Sequence, residues 1–163
     1  MARTAGSVNR SSIPLIKIVK EKSTCYDIPK VINKPDDAAS IIHDIIGDSD
    51  RENFVVLCLD QKNKVVSAEI VSIGTINQCL VHPREVFKAA MLSNAVSIVI
   101  AHNHPSGELT PSTEDKTLTG RLLDAGEILG IKVLDHVIVG GDKDKFTSLR
   151  ETTGLWSAKP FHC

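Results

Sequence analysis

The sequence predicts an α/β domain in which a mixed β-sheet is flanked by helices. Apolar runs of strand length alternate with longer stretches whose apolar residues recur at helical spacing. Two of the strand-length runs are separated by a short polar turn, which indicates a hairpin. A later run is apolar at successive positions, which is typical of a strand covered on both faces. A hairpin combined with a doubly covered strand makes the sheet mixed rather than wholly parallel.

Length and charge exclude several classes of protein. The chain has 163 residues, of which 42% are hydrophobic, so we expect one domain with a substantial core. A net charge of −1 provides no overall positive field that would attract phosphate backbones or acidic membranes. The apolar runs are too short to span a bilayer, and the first ten residues lack the apolar core of a signal peptide. We therefore expect a cytoplasmic protein, with no membrane partner and with reduced cysteines.

The first third of the chain predicts an arm followed by a helix. We expect an N-terminal arm with a short extended segment over residues 1–34, a domain over residues 35–152 and a C-terminal tail over residues 153–163. The extended segment is the run IPLIKIVKEK. The first helix begins at Pro35, which suits a first turn, and ends at Gly47. Its expected apolar face is Ala39, Ile42, Ile45 and Ile46.

The remaining elements follow in order. The runs NFVVLCLD and VVSAEIVSIG predict the two strands of the hairpin, and a second helix begins with Pro83 at its first position. The run SIVIAHNH is the strand covered on both faces. A third helix extends from Ser112 as N-cap to Gly130 as its end. The run IKVLDHVIVG predicts another strand, and GDKDKFTSLRE predicts a turn that leads to a last strand.

Two histidines leave the doubly covered strand on the same face. Side chains two residues apart along a strand point the same way, so His102 and His104 project side by side while Asn103 points to the other face. Strand geometry holds their roots about 7 Å apart, and imidazoles at that separation can converge on one ion. Pro105 ends the hydrogen-bonded ladder, which puts the second histidine at a strand end where an open site can form.

An acid follows in the first turn of the next helix. The helix dipole favours a carboxylate at Asp115 and keeps it ionised, as a metal ligand must be. Two histidines and one carboxylate leave a fourth coordination position free, which is the pattern of catalytic zinc rather than structural zinc. The segment from Ser112 to Asp115 also has the form of a capping box, which would explain the acid without a metal. Both interpretations of Asp115 remain open from its own position in the sequence.

The segment HNHPSGELTPSTED matches the H-x-H-x7-S-x2-D signature of the JAMM (JAB1/MPN) metalloproteases at every signature residue. The surrounding sequence resembles the bacterial RadC group in particular, historically labelled DNA repair proteins. The resemblance extends from about Pro35 to Arg150. It implies a JAMM/MPN, cytidine-deaminase-like fold. Longer RadC proteins carry an N-terminal helix-hairpin-helix region, whereas we expect only the short arm before this domain.

The resemblance also assigns roles to residues of this chain. It implies that His102, His104 and Asp115 bind Zn²⁺, and that Ser112 helps to bind the activated water or the developing oxyanion. The family further needs an upstream glutamate that holds this water and transfers its proton. That residue is expected where the strand after the first helix begins, and Glu52 matches the place.

Other residues compete for supporting roles. Glu69, Glu85 and Glu108 are alternatives to the upstream glutamate, although a position in mid-strand, a first helical turn and a loop respectively explain them without catalysis. The LDH run resembles the same RadC pattern, so Asp135 or His136 could orient a ligand.

The predicted reaction is zinc-assisted hydrolysis of a peptide or isopeptide amide bond, with a protein or peptide substrate that the sequence does not identify. A zinc deaminase would need H-x-E followed by P-C-x-x-C, and the sequence contains neither motif. A DNA-repair accessory or nucleic-acid-associated module is an alternative by family association, although aromatic residues make up only 4% of the chain. A non-catalytic interaction scaffold is another alternative, and the presence of every signature residue argues against it. The oligomeric state is not determined by these patterns.

Overall fold

A computed structural model describes residues 31–47, 49–74 and 81–157. Its helices are α1 (Pro35–Ile46), α2 (Pro83–Leu92), α3 (Thr113–Leu129) and α4 (Leu149–Thr152), and its strands are β1 (Asn53–Leu59), β2 (Val65–Ile73), β3 (Ser97–Asn103), β4 (Lys132–Val139) and β5 (Phe146–Ser148). The extended segment expected in the arm, and the last six residues of the expected tail, lie outside the described residues. Within the described ranges, no helix combines the length and apolar content that crossing a bilayer requires.

The described strands form one mixed sheet in the order β2-β1-β3-β4-β5. Strand β1 pairs antiparallel with β2 and with β3, β4 lies parallel to β3, and β5 lies antiparallel to β4. The predicted α/β class and the mixed sheet are therefore confirmed. The hairpin over β1 and β2 is confirmed as well, because the two strands pair along their whole length.

The sheet separates two hydrophobic cores. Strands β1 and β3 are buried at every position, as the continuous apolar run of β3 predicted. Alternate residues of β1 point to opposite faces, so Phe54 and Val56 join the core beneath α2 and α3, while Val55 and Leu57 join the core beneath α1. The central strands therefore lie between two helical layers. The C-terminal residues of β3 lie at one end of a sheet that is packed on both faces.

Helix α1 begins at Pro35 as predicted, and Gly47 is its C-cap. The buried face differs from the expected one, because Ile45 is only partly buried. The residues that this helix buries are Ala38, Ala39, Ile41, Ile42 and Ile46. A helix that lies against a sheet buries a stripe more than about 100° wide. That stripe includes positions beside the four that the periodicity selected, and its rotation is set by contact with the sheet.

The end of α3 and the start of α4 show how local sequence fixes the boundaries. Gly130 adopts a left-handed conformation with φ of 68°, which ends α3 where the sequence predicted. Helix α4 was not expected, since a single turn is too short to produce a periodic apolar pattern. Ser148 caps it, because its hydroxyl oxygen accepts a hydrogen bond from the Glu151 backbone N–H at 3.2 Å.

Candidate metal centre

The candidate metal centre forms where β3 ends and the chain turns back into α3. His102 is the second-last residue of β3, and His104 follows the strand by one residue. The backbone N–H of His104 still donates to the Val139 carbonyl at 2.9 Å, so β4 supports the chain just past the end of β3. Gly107 adopts a φ of 77°, a left-handed conformation that glycine reaches without a steric penalty. The turn at Gly107 lets the loop bring the first turn of α3 back to the two histidines.

The structure brings the three predicted ligands together. His102, His104 and Asp115 each offer a ligand atom, and these atoms lie within 4.8 Å of one another. The two histidine Nε2 atoms are 2.9 Å apart, and the Asp115 Oδ1 atom lies 3.3 Å from His102 Nε2. The Oδ2 atom of Asp115 lies 3.9 Å from His104 Nε2. His102 and Asp115 are buried, whereas the His104 side chain is 15% exposed, so the cluster opens to solvent on the His104 side.

The ring of His104 is oriented by the loop that follows it. Its Nδ1 atom forms a short hydrogen bond with the Glu108 backbone carbonyl. A carbonyl oxygen can only accept, so Nδ1 carries the proton and donates it. In the neutral ring the Nε2 atom then holds the lone pair, 2.9 Å from His102 Nε2 and 3.9 Å from Asp115 Oδ2. The loop therefore fixes both the orientation of His104 and the nitrogen that it offers to an ion.

Asp115 serves the helix cap and the cluster at once. Its Oδ2 atom accepts from the Ser112 backbone N–H at 2.8 Å and from the Ser112 hydroxyl at 2.7 Å. The Ser112 oxygen in turn accepts from the Asp115 backbone N–H at 3.0 Å, which completes the capping box. The Oδ1 atom is the one nearest His102. Because a carboxylate has two oxygens, the two interpretations of Asp115 are compatible, and Ser112 holds this candidate ligand in place through the cap.

His102 packs against two other buried aromatic rings. Phe54 stacks on it with ring centroids 6.3 Å apart and an interplanar angle of 10°. On the other side, His102 Nδ1 lies 2.8 Å from His136 Nε2. Burial lowers the pKa of His102 to about 4, although the neighbouring Asp115 carboxylate acts in the opposite direction. Burial likewise lowers the pKa of His136 well below its ordinary value. Burial therefore favours the neutral form of both rings.

Glu52 immediately precedes β1, at the same end of the sheet as the histidines. In the β1 and β3 register, Phe54 lies opposite His102. Extending this antiparallel register by two residues puts Glu52 opposite His104 and on the same face as Phe54. A cleft of about 480 Å³ opens here and is lined by Asp50, Arg51, Glu52, Gly74, Pro105 and Ser106. The catalytic role assigned to Glu52 stays a prediction.

The alternative glutamates occupy other surroundings. Glu69 lies within β2, and Glu85 lies in the first turn of α2, where the Lys88 ammonium group donates to its carboxylate at 2.7 Å and lowers its pKa. The exposed Glu108 side chain accepts hydrogen bonds from Thr110, which lower the pKa of Glu108. Glu108 acts on the cluster through its backbone carbonyl, which holds His104.

Asp135 and His136 differ in what they support. Burial raises the pKa of Asp135, while its carboxylate accepts from the Ser148 hydroxyl at 2.6 Å and the Arg150 backbone N–H at 3.1 Å. These contacts tie β4 to the corner between β5 and α4. His136 is the member of this pair that contacts a candidate ligand, since its Nε2 atom meets His102.

Sequence reasoning missed one residue that supports the cluster, Thr119, and one that supports the segment of Glu52, Asn103. Thr119 is buried and hydrogen-bonds to His136, and its helical spacing of four from Asp115 was the available signal that both share a face of α3. Asn103 was expected to point away from the histidines, and its amide holds the loop that carries Glu52. It accepts from the Asn53 backbone N–H at 2.7 Å and donates to the Arg51 carbonyl at 2.9 Å.

Comparisons with known proteins agree with this geometry. The family model described as RadC-like JAB domain matches residues 32–155. A UPF0758 protein of Desulforamulus reducens is 51% identical over 120 residues, which are 74% of this chain and 52% of the relative. A UPF0758 protein of Rubrobacter xylanophilus is 54% identical over 110 residues, 68% of this chain and 48% of the relative. One of Methanosarcina barkeri is 38% identical over 138 residues, 84% of this chain and 59% of the relative. The chain spans about half the length of the first two relatives.

Proposed function

The chain belongs to the RadC-like JAB domain family, and from this premise we propose that it is a zinc-dependent hydrolase of peptide or isopeptide amide bonds. The observation that carries the proposal is the convergence of His102, His104 and Asp115, whose ligand atoms lie within 4.8 Å of one another. Glu52 and Ser112 can act in catalysis as proposed only if a metal binds there. The proposal therefore depends first on the fit of these three side chains to an ion.

The chemistry of the donor set fits zinc. Two imidazole nitrogens and a carboxylate oxygen are ligands that zinc accepts, and three such ligands are typical of catalytic rather than structural sites. His104 turns a lone pair to the cluster, because its other nitrogen donates to Glu108. A cation would relieve the repulsion between that lone pair and the carboxylate of Asp115. The exposed side of His104 provides the direction from which a substrate would approach.

A bound zinc ion supplies Lewis acidity that polarises an amide carbonyl and acidifies a water molecule. Glu52 would accept a proton from the attacking water as the water oxygen bonds to the carbonyl carbon. It would return the proton to the leaving amine as the C–N bond breaks. Ser112 would donate a hydrogen bond to the developing oxyanion, which requires its hydroxyl to turn away from Asp115. The cleft that Glu52 shares with Pro105 and Ser106 would hold the substrate chain.

Metal analysis tests the first part of the proposal. Purified protein should contain about one zinc per chain, as one three-ligand site predicts. The double variant His102→Ala/His104→Ala should contain none. If the wild-type protein lacks stoichiometric metal after reconstitution with zinc, the hydrolase proposal fails and the scaffold interpretation remains.

Turnover of the intact protein tests the second part. A proteome-derived peptide library incubated with the zinc-loaded protein should yield new termini in mass spectrometry. Glu52→Gln should keep its zinc and lose cleavage, whereas Glu69→Gln and Glu85→Gln should keep both. Cleavage by Glu52→Gln at the wild-type rate would remove Glu52 from the mechanism without affecting the metal site.

Nucleic-acid association is the alternative that follows from the historical label of the family. The net charge of −1 argues against it, because phosphate contacts require clustered basic side chains. A gel-shift assay at physiological salt, repeated over a range of salt concentrations, would detect such binding. Tight binding with a steep salt dependence would favour this alternative over a peptide substrate.

A further inference from the structure

A chain of buried polar contacts extends from the candidate ligand His102 to the backbone of α3. His102 Nδ1 lies 2.8 Å from His136 Nε2, and His136 Nδ1 lies 2.6 Å from the Thr119 hydroxyl oxygen. That oxygen lies 2.6 Å from the backbone carbonyl oxygen of Asp115, whose side-chain carboxylate is a candidate ligand. His102, His136 and Thr119 have no measurable exposure to solvent. The contacts therefore link two candidate ligands through groups that water does not reach.

The direction of each hydrogen bond follows from the carbonyl at the end of the chain. The Asp115 carbonyl can only accept, so the single hydroxyl proton of Thr119 must lie between the two oxygens. Without that proton, two oxygen atoms at 2.6 Å would repel each other. Thr119 therefore has no proton left for His136, and it can only accept from that ring.

The same count of protons determines which nitrogen is protonated in each of the two imidazole rings. His136 Nδ1 must carry a proton, since the oxygen that it meets can only accept at that contact. A neutral imidazole carries one proton, so His136 Nε2 is an acceptor, and a second proton would place an unpaired charge in the core. The His102 Nδ1 atom must then donate to it. The remaining nitrogen of His102, Nε2, then holds a lone pair, which lies 3.3 Å from Asp115 Oδ1 and 2.9 Å from His104 Nε2, an arrangement that a shared cation would stabilise.

We infer that Thr119 and His136 are positioning residues that fix His102 in its Nδ1-protonated tautomer, with Nε2 prepared to bind a metal. Neither side chain touches the candidate ion position. The inference rests on the proposed function only for its consequence, which is tighter zinc binding. The tautomer itself belongs to the protein without metal and can be measured there.

The opposite arrangement shows why the hydroxyl matters. If His136 carried its proton on Nε2, it would donate to His102 and push the proton of His102 onto the nitrogen that faces Asp115. That tautomer would have to lose or move a proton before zinc could bind. Asp115 Oδ1 and His104 Nε2, at 3.3 and 2.9 Å from His102 Nε2, would accept a proton there and so favour that tautomer. The commitment of the Thr119 hydroxyl to the Asp115 carbonyl opposes it and selects the Nδ1-protonated form.

The test uses a matched pair of threonines in α3. Thr119→Val removes the hydroxyl with little change in shape, and Thr119→Ser keeps it. Thr117 makes the same contact with the carbonyl four residues earlier, at 2.9 Å from Thr113, but it is exposed. Thr117→Val is therefore a control for loss of such a hydroxyl without loss of the histidine contact.

The first readout is the histidine tautomer in metal-free protein at pH 8, from long-range ¹H–¹⁵N correlation spectra. Wild-type protein, Thr119→Ser and Thr117→Val should show His102 and His136 protonated on Nδ1, whereas Thr119→Val should shift His102 toward the Nε2-protonated form. A wild-type His102 protonated on Nε2 would overturn the inference, even if Thr119→Val fails to fold. An unchanged tautomer in folded Thr119→Val would also overturn it.

The second readout is the zinc affinity, measured by competition with a chromophoric chelator. Thr119→Val should bind zinc about 10- to 100-fold more weakly, which is the usual effect of losing a group that orients a metal ligand. Thr119→Ser and Thr117→Val should bind like the wild-type protein. Equal affinities in all four proteins would overturn the consequence for metal binding. Absence of zinc binding by the wild-type protein would instead overturn the proposed function, while the tautomer measurement would still decide the inference.

Discussion

The amide oxygen of Asn103 accepts a hydrogen bond from the backbone N–H of Asn53 at 2.7 Å, which joins the end of β3 to the start of β1. The amide nitrogen of Asn103 donates to the carbonyls of Arg51 at 2.9 Å and Ser49 at 3.3 Å. One side chain between the two histidines therefore holds the segment that carries Glu52. The two candidate histidine ligands and the segment of the candidate proton acceptor are positioned by opposite faces of the same strand.

Replacing Asn103 should weaken the connection between the end of β3 and the start of β1. Asn103→Asp keeps an acceptor for Asn53 but can no longer donate to the carbonyls of Arg51 and Ser49. We expect the free energy of unfolding to fall by about 1–3 kcal/mol, the cost of buried groups left without a partner. Urea denaturation would measure the loss. The control Asn63→Asp lies in an exposed turn and should change the stability little, so an equal loss in both variants would contradict the interpretation.

Two glycines of α3 should respond to alanine in opposite ways. A Cβ atom at Gly126 would lie 2.5 Å from the Ile131 carbonyl oxygen, so Gly126→Ala should destabilise the fold. A Cβ atom at Gly120 would meet nothing within 4 Å among the described residues, so Gly120→Ala should stabilise it by about 0.5–1 kcal/mol through lower backbone entropy in the unfolded chain. Thermal unfolding of the two variants measures both effects. A stabilising Gly126→Ala would show that α3 can move away from the loop before β4.

The phenyl ring of Phe54 should be a major source of stability around the cluster. It is fully buried, and it contacts both His102 and His136. We expect Phe54→Ala to lower the free energy of unfolding by about 3–5 kcal/mol, because it leaves a cavity in the core. Phe146 is only partly buried, so Phe146→Ala should cost less. Denaturant titration of the two variants compares them, and a larger loss at Phe146 would contradict the described core.

The double role of Asp115 can be divided between two variants. Asp115→Asn keeps an oxygen for the cap, so we expect its stability to be close to that of the wild-type protein. It loses the charge, so we expect its zinc affinity to fall by more than about 100-fold, the upper end of the effect of removing a residue that only orients a ligand. Ser112→Ala removes the cap and should lower the free energy of unfolding by about 0.5–2 kcal/mol, with a smaller effect on zinc. Calorimetry and chelator competition measure the two quantities. Wild-type zinc affinity in Asp115→Asn would remove Asp115 from the ligand set.

Local chemistry in the sequence was sufficient for most element boundaries. Pro35 and Pro83 begin helices because a proline ring fits a first turn, and Gly130 ends one because it adopts a left-handed conformation at little cost. Alternation along a strand likewise places His102 and His104 on one face without reference to any contact between them. These features depend on residues that are neighbours along the chain, so the sequence alone predicts them.

Contacts between distant residues were decided by the tertiary structure. His102 and His136 are 34 positions apart, and they meet because β3 and β4 pair in parallel with His102 near one end. Asn103 and Asn53 are 50 positions apart, and their contact depends on the register of β3 against β1. Spacing along the chain carries no information about such register, since it is set by how two cores pack on opposite faces of one sheet. The sequence by itself determined which residues could bind an ion, and the packing of the sheet determined which neighbours hold them.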